Sequence, residues 1–194
     1  MNSLKRLYNW TLDKANHKNA KWYLSIISFA ESSFFPIPPD LLLIPMALAS
    51  KTKAIFYAFI CTFSSVLGGI LGYAIGYYFY NTLGIYIVEF YHLESSFSVF
   101  EDYYKEFGIL IVLGAGITPF PYKFITIASG VFGLNVLLFT AVAIIARGLR
   151  FYLLAFLLKL FGQVIEQLID KYFNILATLF FILLVGSIMI VKFL

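Results

Sequence analysis

The stretch Phe34-Phe35-Pro36-Ile37-Pro38-Pro39-Asp40 breaks an apolar run with three prolines and then places a charge after the break. Ile117-Thr118-Pro119-Phe120-Pro121-Tyr122-Lys123 repeats the pattern, 83 residues later, with a charge of the opposite sign. Proline lacks a backbone N–H and holds its neighbours extended, so one straight helix cannot pass through either stretch. A broken helix with a charge at the break is typical of membrane proteins that admit something polar into the bilayer.

The composition places the chain in a membrane. Of its 194 residues, 61% are hydrophobic and 12% are charged, whereas about 25% of the residues of a soluble domain are charged. Uncharged runs extend from Ala54 to Val88 and from Tyr172 to Val191. A run of about 20 apolar residues is long enough to cross the hydrocarbon core as a helix. The sequence therefore predicts an all-α, polytopic membrane protein.

Apolar and charged stretches divide the chain into five predicted segments. They are a basic amphipathic surface helix (1–21), a first repeat (22–80), an acidic interfacial segment (85–106), a second repeat (107–160) and a C-terminal crossing (172–193). Each repeat comprises a re-entrant hairpin, 22–50 or 107–133, and a full transmembrane helix, 54–80 or 134–158. Because one crossing separates the hairpins, the second must enter from the opposite face. This arrangement is an inverted-topology repeat whose two breaks meet near the bilayer midplane.

Charge also predicts the orientation. The basic residues of the opening segment 1–21 far outnumber its one acid, Asp13, whereas five acids face only Lys105 between Glu89 and Glu106. Lysine and arginine concentrate on the cytoplasmic side of membrane proteins. The N-terminus is therefore expected to be cytoplasmic.

Five ionisable residues are predicted to lie at membrane depth. They are Glu31, Asp40, Lys123, Arg147 and Arg150. Each would cost ~2.5–3.5 kcal/mol at the centre of an isolated helix. They must therefore pair with one another, cluster or meet water.

Two interpretations of these charges stay open. In the first, they form a buried salt-bridge lock that pairs Asp40 with Lys123 and Glu31 with an arginine, which leaves one basic group over. In the second, Arg147 and Arg150, which share a helix face, hold a phosphate through forked hydrogen bonds. Half-helix N-termini at the breaks would add N–H donors. Burial favours protonation of Glu31 or Asp40, and this would free the arginines for an anionic head group.

Other classes of function find no support in the residues. The sequence contains no H-E-x-x-H, C-x-x-C, phosphate-binding loop or G-x-S-x-G motif, so we expect neither an enzyme nor a metal ion or cofactor. The basic residues form no patch on a soluble face, so nucleic acid is not an expected partner.

A family resemblance rests on both proline motifs and on the second crossing. The matching residues are Glu31, Pro36-Ile-Pro-Pro-Asp40, Thr118-Pro-Phe-Pro-Tyr-Lys123-Phe, Ala128-Ser-Gly130, and Gly148 between Arg147 and Arg150. Over about residues 22–160 the chain resembles the DedA family, in its YqaA-type branch, which belongs to the wider VTT-domain group. The chain departs from the better-known members, which have two arginines in the second hairpin. Lys123 stands near the second of these, and Thr118 or a neighbour replaces the first.

The resemblance implies two re-entrant hairpins in inverted repeat, a location in the bacterial inner membrane, and lipid translocation. It implies that the hairpin carboxylates correspond to Glu31 and Asp40. The expected function is movement of a phosphate-bearing lipid, such as undecaprenyl phosphate or a phospholipid, between leaflets, with membrane lipids and protons as partners. The alternatives are a proton-coupled transporter of a small cation or osmolyte, with Glu31 and Asp40 as its binding carboxylates, and a scaffold that transports nothing.

Overall fold

The computed structural model describes residues 19–35, 37–90, 94–118 and 120–162, and over these ranges every regular element is helical. The prediction of an all-α protein is therefore confirmed for these residues. The helices are α1 (Ala20–Ser33), α2 (Asp40–Ala49), α3 (Ala54–Phe79), α4 (Ile85–Phe90), α5 (Glu94–Ile117), α6 (Tyr122–Val131) and α7 (Val136–Gly162). Most of the predicted surface helix at 1–21 and all of the predicted crossing at 172–193 lie outside the described residues.

Two of these helices are long and apolar enough to cross a membrane. A 3₁₀ turn leads into α3 and a π turn, Tyr80–Gly84, joins it to α4. Helix α3 has 26 residues and α7 has 27, so each rises about 40 Å, against a hydrocarbon core of about 30 Å. The predicted crossings at 54–80 and 134–158 coincide with α3 and α7. Helix α7 begins two residues later than predicted because Asn135 caps it, accepting backbone N–H bonds from Leu137 and Leu138 through Oδ1.

The first proline break separates α1 from α2. Helix α1 runs alongside α3 in the same direction, since Ser25 bonds Ser64 and Ser33 donates to the carbonyl of Gly68. Helix α2 returns towards the end from which α1 started. At that end, a Cβ added to Gly162 of α7 would lie 3.1 Å from Leu48 of α2.

The second break separates α5 from α6, which also turn back on each other. Tyr104 Oη and Ser129 Oγ are 2.8 Å apart at the outer end of this pair, and Gly116 lies beside Tyr122 at the break. The predicted division at residue 106, between acidic segment and hairpin, falls inside α5. The helix continues there because no proline interrupts residues 94–117.

Glycines of α3 let both helix pairs approach closely. A Cβ on Gly68 would lie 2.1 Å from the carbonyl oxygen of Phe29 in α1, and one on Gly76 would lie 2.0 Å from that of Ile127 in α6. The sequence predicts such an approach from the Gly68-x-x-x-Gly72-x-x-x-Gly76 spacing. The contacts confirm it, for two partner helices rather than one.

The two long helices expose large apolar side chains on their outer sides and bury smaller apolar and polar ones between the helices. Large exposed apolar residues follow one side of each: Phe56, Phe59, Phe63, Leu67, Leu71 and Ile75 on α3, and Ile145, Leu149, Leu153, Phe156 and Leu160 on α7. Buried among the helices lie Glu31, Ser32, Ser65 and Arg147. A continuous apolar exterior of this extent is typical of a protein in contact with lipid rather than with water.

Candidate functional site

Arg147 lies at the centre of the bundle and is only 1% exposed. Its Nη2 donates to Glu31 Oε2 at 2.6 Å, and its Nε donates to Ser65 Oγ at 2.6 Å. The rings of Tyr122 and Phe151 lie 4.9 and 4.7 Å from its Cζ. The chain itself therefore satisfies this guanidinium with a carboxylate, a hydroxyl and two aromatic faces. The predicted pairing of Glu31 with an arginine is present.

Serines extend this ion pair into a buried network that the sequence analysis missed. Ser32 Oγ donates to Glu31 Oε2 at 3.1 Å and lies 2.6 Å from Ser65 Oγ. Thr126 of α6 donates to the carbonyl of Ser32 at 2.9 Å. The available signal was the pair of serine dipeptides, 32–33 and 64–65, within apolar helices. Buried hydroxyls need partners. Ser32 and Ser65 bond each other, whereas Ser33 donates to the carbonyls of Phe29 and Gly68 and Ser64 pairs with Ser25.

Arg150 lies one turn further along α7 and connects the two breaks. Its Nη2 forms an ion pair with Asp40, the first residue of α2, and its Nη1 donates to the carbonyl of Thr118, where α5 ends. The side chains of this pair are 14% and 19% exposed, whereas those of Arg147 and Glu31 are 1% and 10% exposed. The two arginines share one helix face, but the ion pair of Arg147 is more deeply buried than that of Arg150.

Lys123 does not pair with Asp40, so that part of the predicted lock is wrong. Asp40 pairs with Arg150 instead, because α7 passes beside both breaks. The long, forked side chain of Arg150 reaches Asp40 at the first break and the carbonyl of Thr118 at the second. Among the described residues Lys123 has no ion pair, and its Nζ lies 5.4 Å from the ring centre of Phe124. It is therefore the basic group left over by the pairing of the other four charges.

The breaks contribute two further polar atoms. Pro38 and Pro39 precede α2, and Pro121 precedes α6, whereas Pro36 and Pro119 lie outside the described residues. Asp40 Oδ1 and Tyr122 Oη are buried and have no hydrogen-bond partner within the described part of the chain. Each break therefore has a buried polar atom that forms no hydrogen bond there. At the first break it belongs to Asp40, which binds Arg150, and at the second it belongs to Tyr122, whose ring contacts Arg147. No group of three or more His, Cys, Asp or Glu that could hold a metal ion occurs in the ranges described.

Two relatives share most of their length with this chain. An uncharacterised protein of Haemophilus influenzae is 34% identical over 186 residues, which are 96% of each chain. A protein of Histophilus somni, named as a homologue of an uncharacterised protein, is 36% identical over 160 residues, 81% of this chain and 82% of its own. The chain belongs to the same family as these two proteins. No family model and no solved structure matches it, so membership of the DedA family stays a prediction.

Proposed function

We propose that the protein is a membrane lipid translocase that moves a phosphate-bearing lipid between leaflets. One observation carries the proposal: two broken helix pairs meet at a cluster of charges in the middle of a bundle whose exterior is apolar. Charged groups at such depth are costly and usually mark a path for something polar. The acyl chains of the lipid would stay in the surrounding bilayer while the head group passes the charges.

The directions of the helices support re-entrant hairpins in an inverted repeat. The pair α1–α2 turns back to the end where α3 begins, and α5–α6 turns back to the opposite end. Basic residues Lys51, Lys53 and Lys159 lie at the first end and acidic residues Glu89 and Glu101 at the second. By the positive-inside rule the first end faces the cytoplasm. Because both relatives come from bacteria, the proposed location is the bacterial inner membrane.

The charges favour an anionic head group. Three basic residues of this cluster face two acids, and within the described chain Lys123 is the one of these three that has no ion pair. Lys123 also lies in the first turn of α6, where the helix dipole already favours an anion. Loss of the Asp40 contact would free Arg150 and increase the positive charge that faces the head group. This excess of positive charge supports the proposal of a phosphate-bearing lipid, moved in linkage with protons that titrate the carboxylates.

Lipid movement can be tested with the purified protein in liposomes that contain a fluorescent phospholipid. A membrane-impermeant reductant bleaches only the outer leaflet, so loss of the protected signal reports translocation. We expect the protected signal to disappear with the wild-type protein and with Lys123→Arg, and to persist largely with Lys123→Gln. A fluorescent galactolipid, which lacks the phosphate but keeps a polar head group, serves as the control for non-specific leakage. Folded wild-type protein that moves no phosphate-bearing lipid would refute the proposal.

A second candidate is a proton-coupled transporter of a small cation. The observation in its favour is Asp40 Oδ1, a buried carboxylate oxygen without a hydrogen-bond partner in the described chain. This function requires uptake of a cation into sealed liposomes driven by a proton gradient. Such uptake, lost in Asp40→Asn while lipids stay in their leaflets, would replace the lipid proposal.

A third candidate is a scaffold that transports nothing. The observation in its favour is that both arginines are already paired, which closes the centre of the bundle. A scaffold would leave lipids and cations in place in both assays. It would also keep its cellular function when Glu31 and Arg147 are replaced together by apolar residues.

A further inference from the structure

The two arginines of α7 differ in how easily a ligand could displace their present partners. Arg147 is almost completely buried and is bound by Glu31, by Ser65 and by two aromatic rings. An incoming anion would have to separate all four contacts inside the bundle. Arg147 is therefore a fixed charge that positions α1 against α3 and α7.

Arg150 has partners that belong to the ends of helices instead. Asp40 opens α2 directly after the first break, and the carbonyl of Thr118 follows the last residue of α5 at the second break. Asp40 begins a helix directly after the non-helical residues 37–39, and Thr118 is non-helical. A small outward movement of either break would separate its bond to Arg150 without disturbing the Glu31–Arg147 network.

Asp40 also binds Arg150 incompletely. One carboxylate oxygen, Oδ2, bonds to the guanidinium, and the other, Oδ1, is buried without a partner in the described chain. A phosphate can accept two parallel N–H bonds from a guanidinium, which is the stronger geometry. An exchange of Asp40 for a phosphate would therefore replace a one-oxygen contact by a two-oxygen contact, and Arg150 would still face an anion.

We propose that Asp40 occupies the place of the substrate's anion on Arg150 and thereby latches the two breaks together. A lipid phosphate displaces Asp40, releases the link to the first break, and opens the space between the helix pairs. Arg150 then reads the head group, whereas Arg147 stays bound to Glu31 throughout. This inference rests on the proposed function, because it takes the phosphate of the lipid as the competing anion.

The latch can be tested by measuring the distance between the breaks. Spin labels are attached to cysteines placed at Ile37 and Ile117, which are both exposed, in a Cys61→Ala background. Nanodiscs of an uncharged galactolipid, which has no phosphate, provide the reference state. We expect a short distance to predominate in the wild-type protein. In Asp40→Asn the population at a second, longer distance should be roughly fivefold higher or more. Glu89→Gln, an exposed carboxylate far from the breaks, should match the wild type.

Addition of a phosphate-bearing lipid tests whether phosphate replaces Asp40. Phosphatidic acid in the nanodisc should shift the wild-type protein to the longer distance seen in Asp40→Asn, and Arg150→Gln should show that distance with or without phosphatidic acid. If Asp40→Asn and Arg150→Gln both keep the wild-type distance while folded, the latch does not exist. If they open but phosphatidic acid leaves the wild type closed, the phosphate exchange is refuted.

The same measurements distinguish the inference from the proposed function. If inorganic phosphate in the buffer lengthens the distance between the breaks and phosphatidic acid does not, the competing anion is not a lipid. Opening by phosphatidic acid in a protein that translocates no lipid in liposomes would support the latch and refute translocation.

Discussion

The two broken helix pairs dock on α3 in the same way but satisfy their charges differently. Each pair places a backbone carbonyl against a glycine of α3, Phe29 against Gly68 in the first pair and Ile127 against Gly76 in the second. The glycines lie two helical turns apart. Backbone packing is thus repeated, and the two pairs are equivalent in how closely they approach the long helix.

Charges are not repeated. Both acids of the first pair, Glu31 and Asp40, are held by arginines of α7, whereas Lys123 of the second pair has no ion pair within the described residues. Helix α7 therefore binds the first pair through ion pairs to its acids, and it binds the second pair through a hydrogen bond to a backbone carbonyl. The comparison separates the residues that hold the helices together from those that are free to bind something else.

The largest expected effect comes from breaking the inner ion pair. Glu31→Gln leaves Arg147 charged and almost fully buried without a carboxylate, and the loss of one partner of a buried pair costs about 3–5 kcal/mol. Thermal unfolding of the purified protein in a fixed detergent measures this. Lys123→Gln serves as the matched charge removal in the second pair and should change the midpoint little.

Removal of both inner charges is the control for this prediction. A double variant with Glu31→Leu and Arg147→Met removes the pair without leaving a charge, so most of the lost stability should return. If the double variant is as unstable as Glu31→Gln, the cost arises from packing and not from the uncompensated arginine.

Glycine substitutions test whether the two pairs dock equivalently. Gly68→Ala and Gly76→Ala each place a Cβ within 2.1 Å of a backbone oxygen, and because a backbone carbonyl cannot rotate away, each should cost about 3 kcal/mol. Gly114→Ala is the control, since nothing lies within 4 Å of its Cβ position. It should be neutral or slightly stabilising because alanine favours the helix. A loss in only one of Gly68 and Gly76 would show that the docking is not equivalent.

Ser65→Ala should have a smaller effect that is confined to the first pair. It removes the acceptor of Arg147 Nε and the partner of Ser32, and a buried donor left without a partner costs about 1–2 kcal/mol. Ser65→Thr, which keeps the hydroxyl, should retain more of the stability. The unfolding midpoint in the same detergent measures both. Equal losses for alanine and threonine would attribute the effect to space rather than to the hydrogen bond.

Much of this architecture follows from the sequence because prolines and glycines act locally. Pro38, Pro39 and Pro121 lack an N–H donor whatever their tertiary surroundings, so the sequence alone predicts the positions of the breaks. The Gly68-x-x-x-Gly72-x-x-x-Gly76 spacing likewise predicts close helix packing without knowledge of the partner.

The partner of each charge was less predictable because it depends on the placement of distant helices. Sequence spacing paired Asp40 with Lys123, which occupy equivalent positions of the repeat, and the structure pairs Asp40 with Arg150, 110 residues away. Ser65 gave no signal of its own as an arginine acceptor, since a serine in an apolar helix usually bonds its own backbone. Both contacts of these arginines, with Asp40 and with Ser65, depend on how distant helices pack together and not on the local sequence pattern.

The smallest expected effect on stability compares the two equivalent positions directly. Asp40 and Lys123 each lie in the first turn of the helix after a break, where a carboxylate is favoured and a cation is not. Asp40→Asn should therefore cost about 1 kcal/mol, from the lost pair and the helix dipole together, whereas Lys123→Gln should be neutral or stabilising by about 0.5 kcal/mol. Unfolding midpoints check both values. If Lys123→Gln destabilises the protein as much as Asp40→Asn, Lys123 has a structural partner, and the separation between binding and folding residues fails at the position where it matters most.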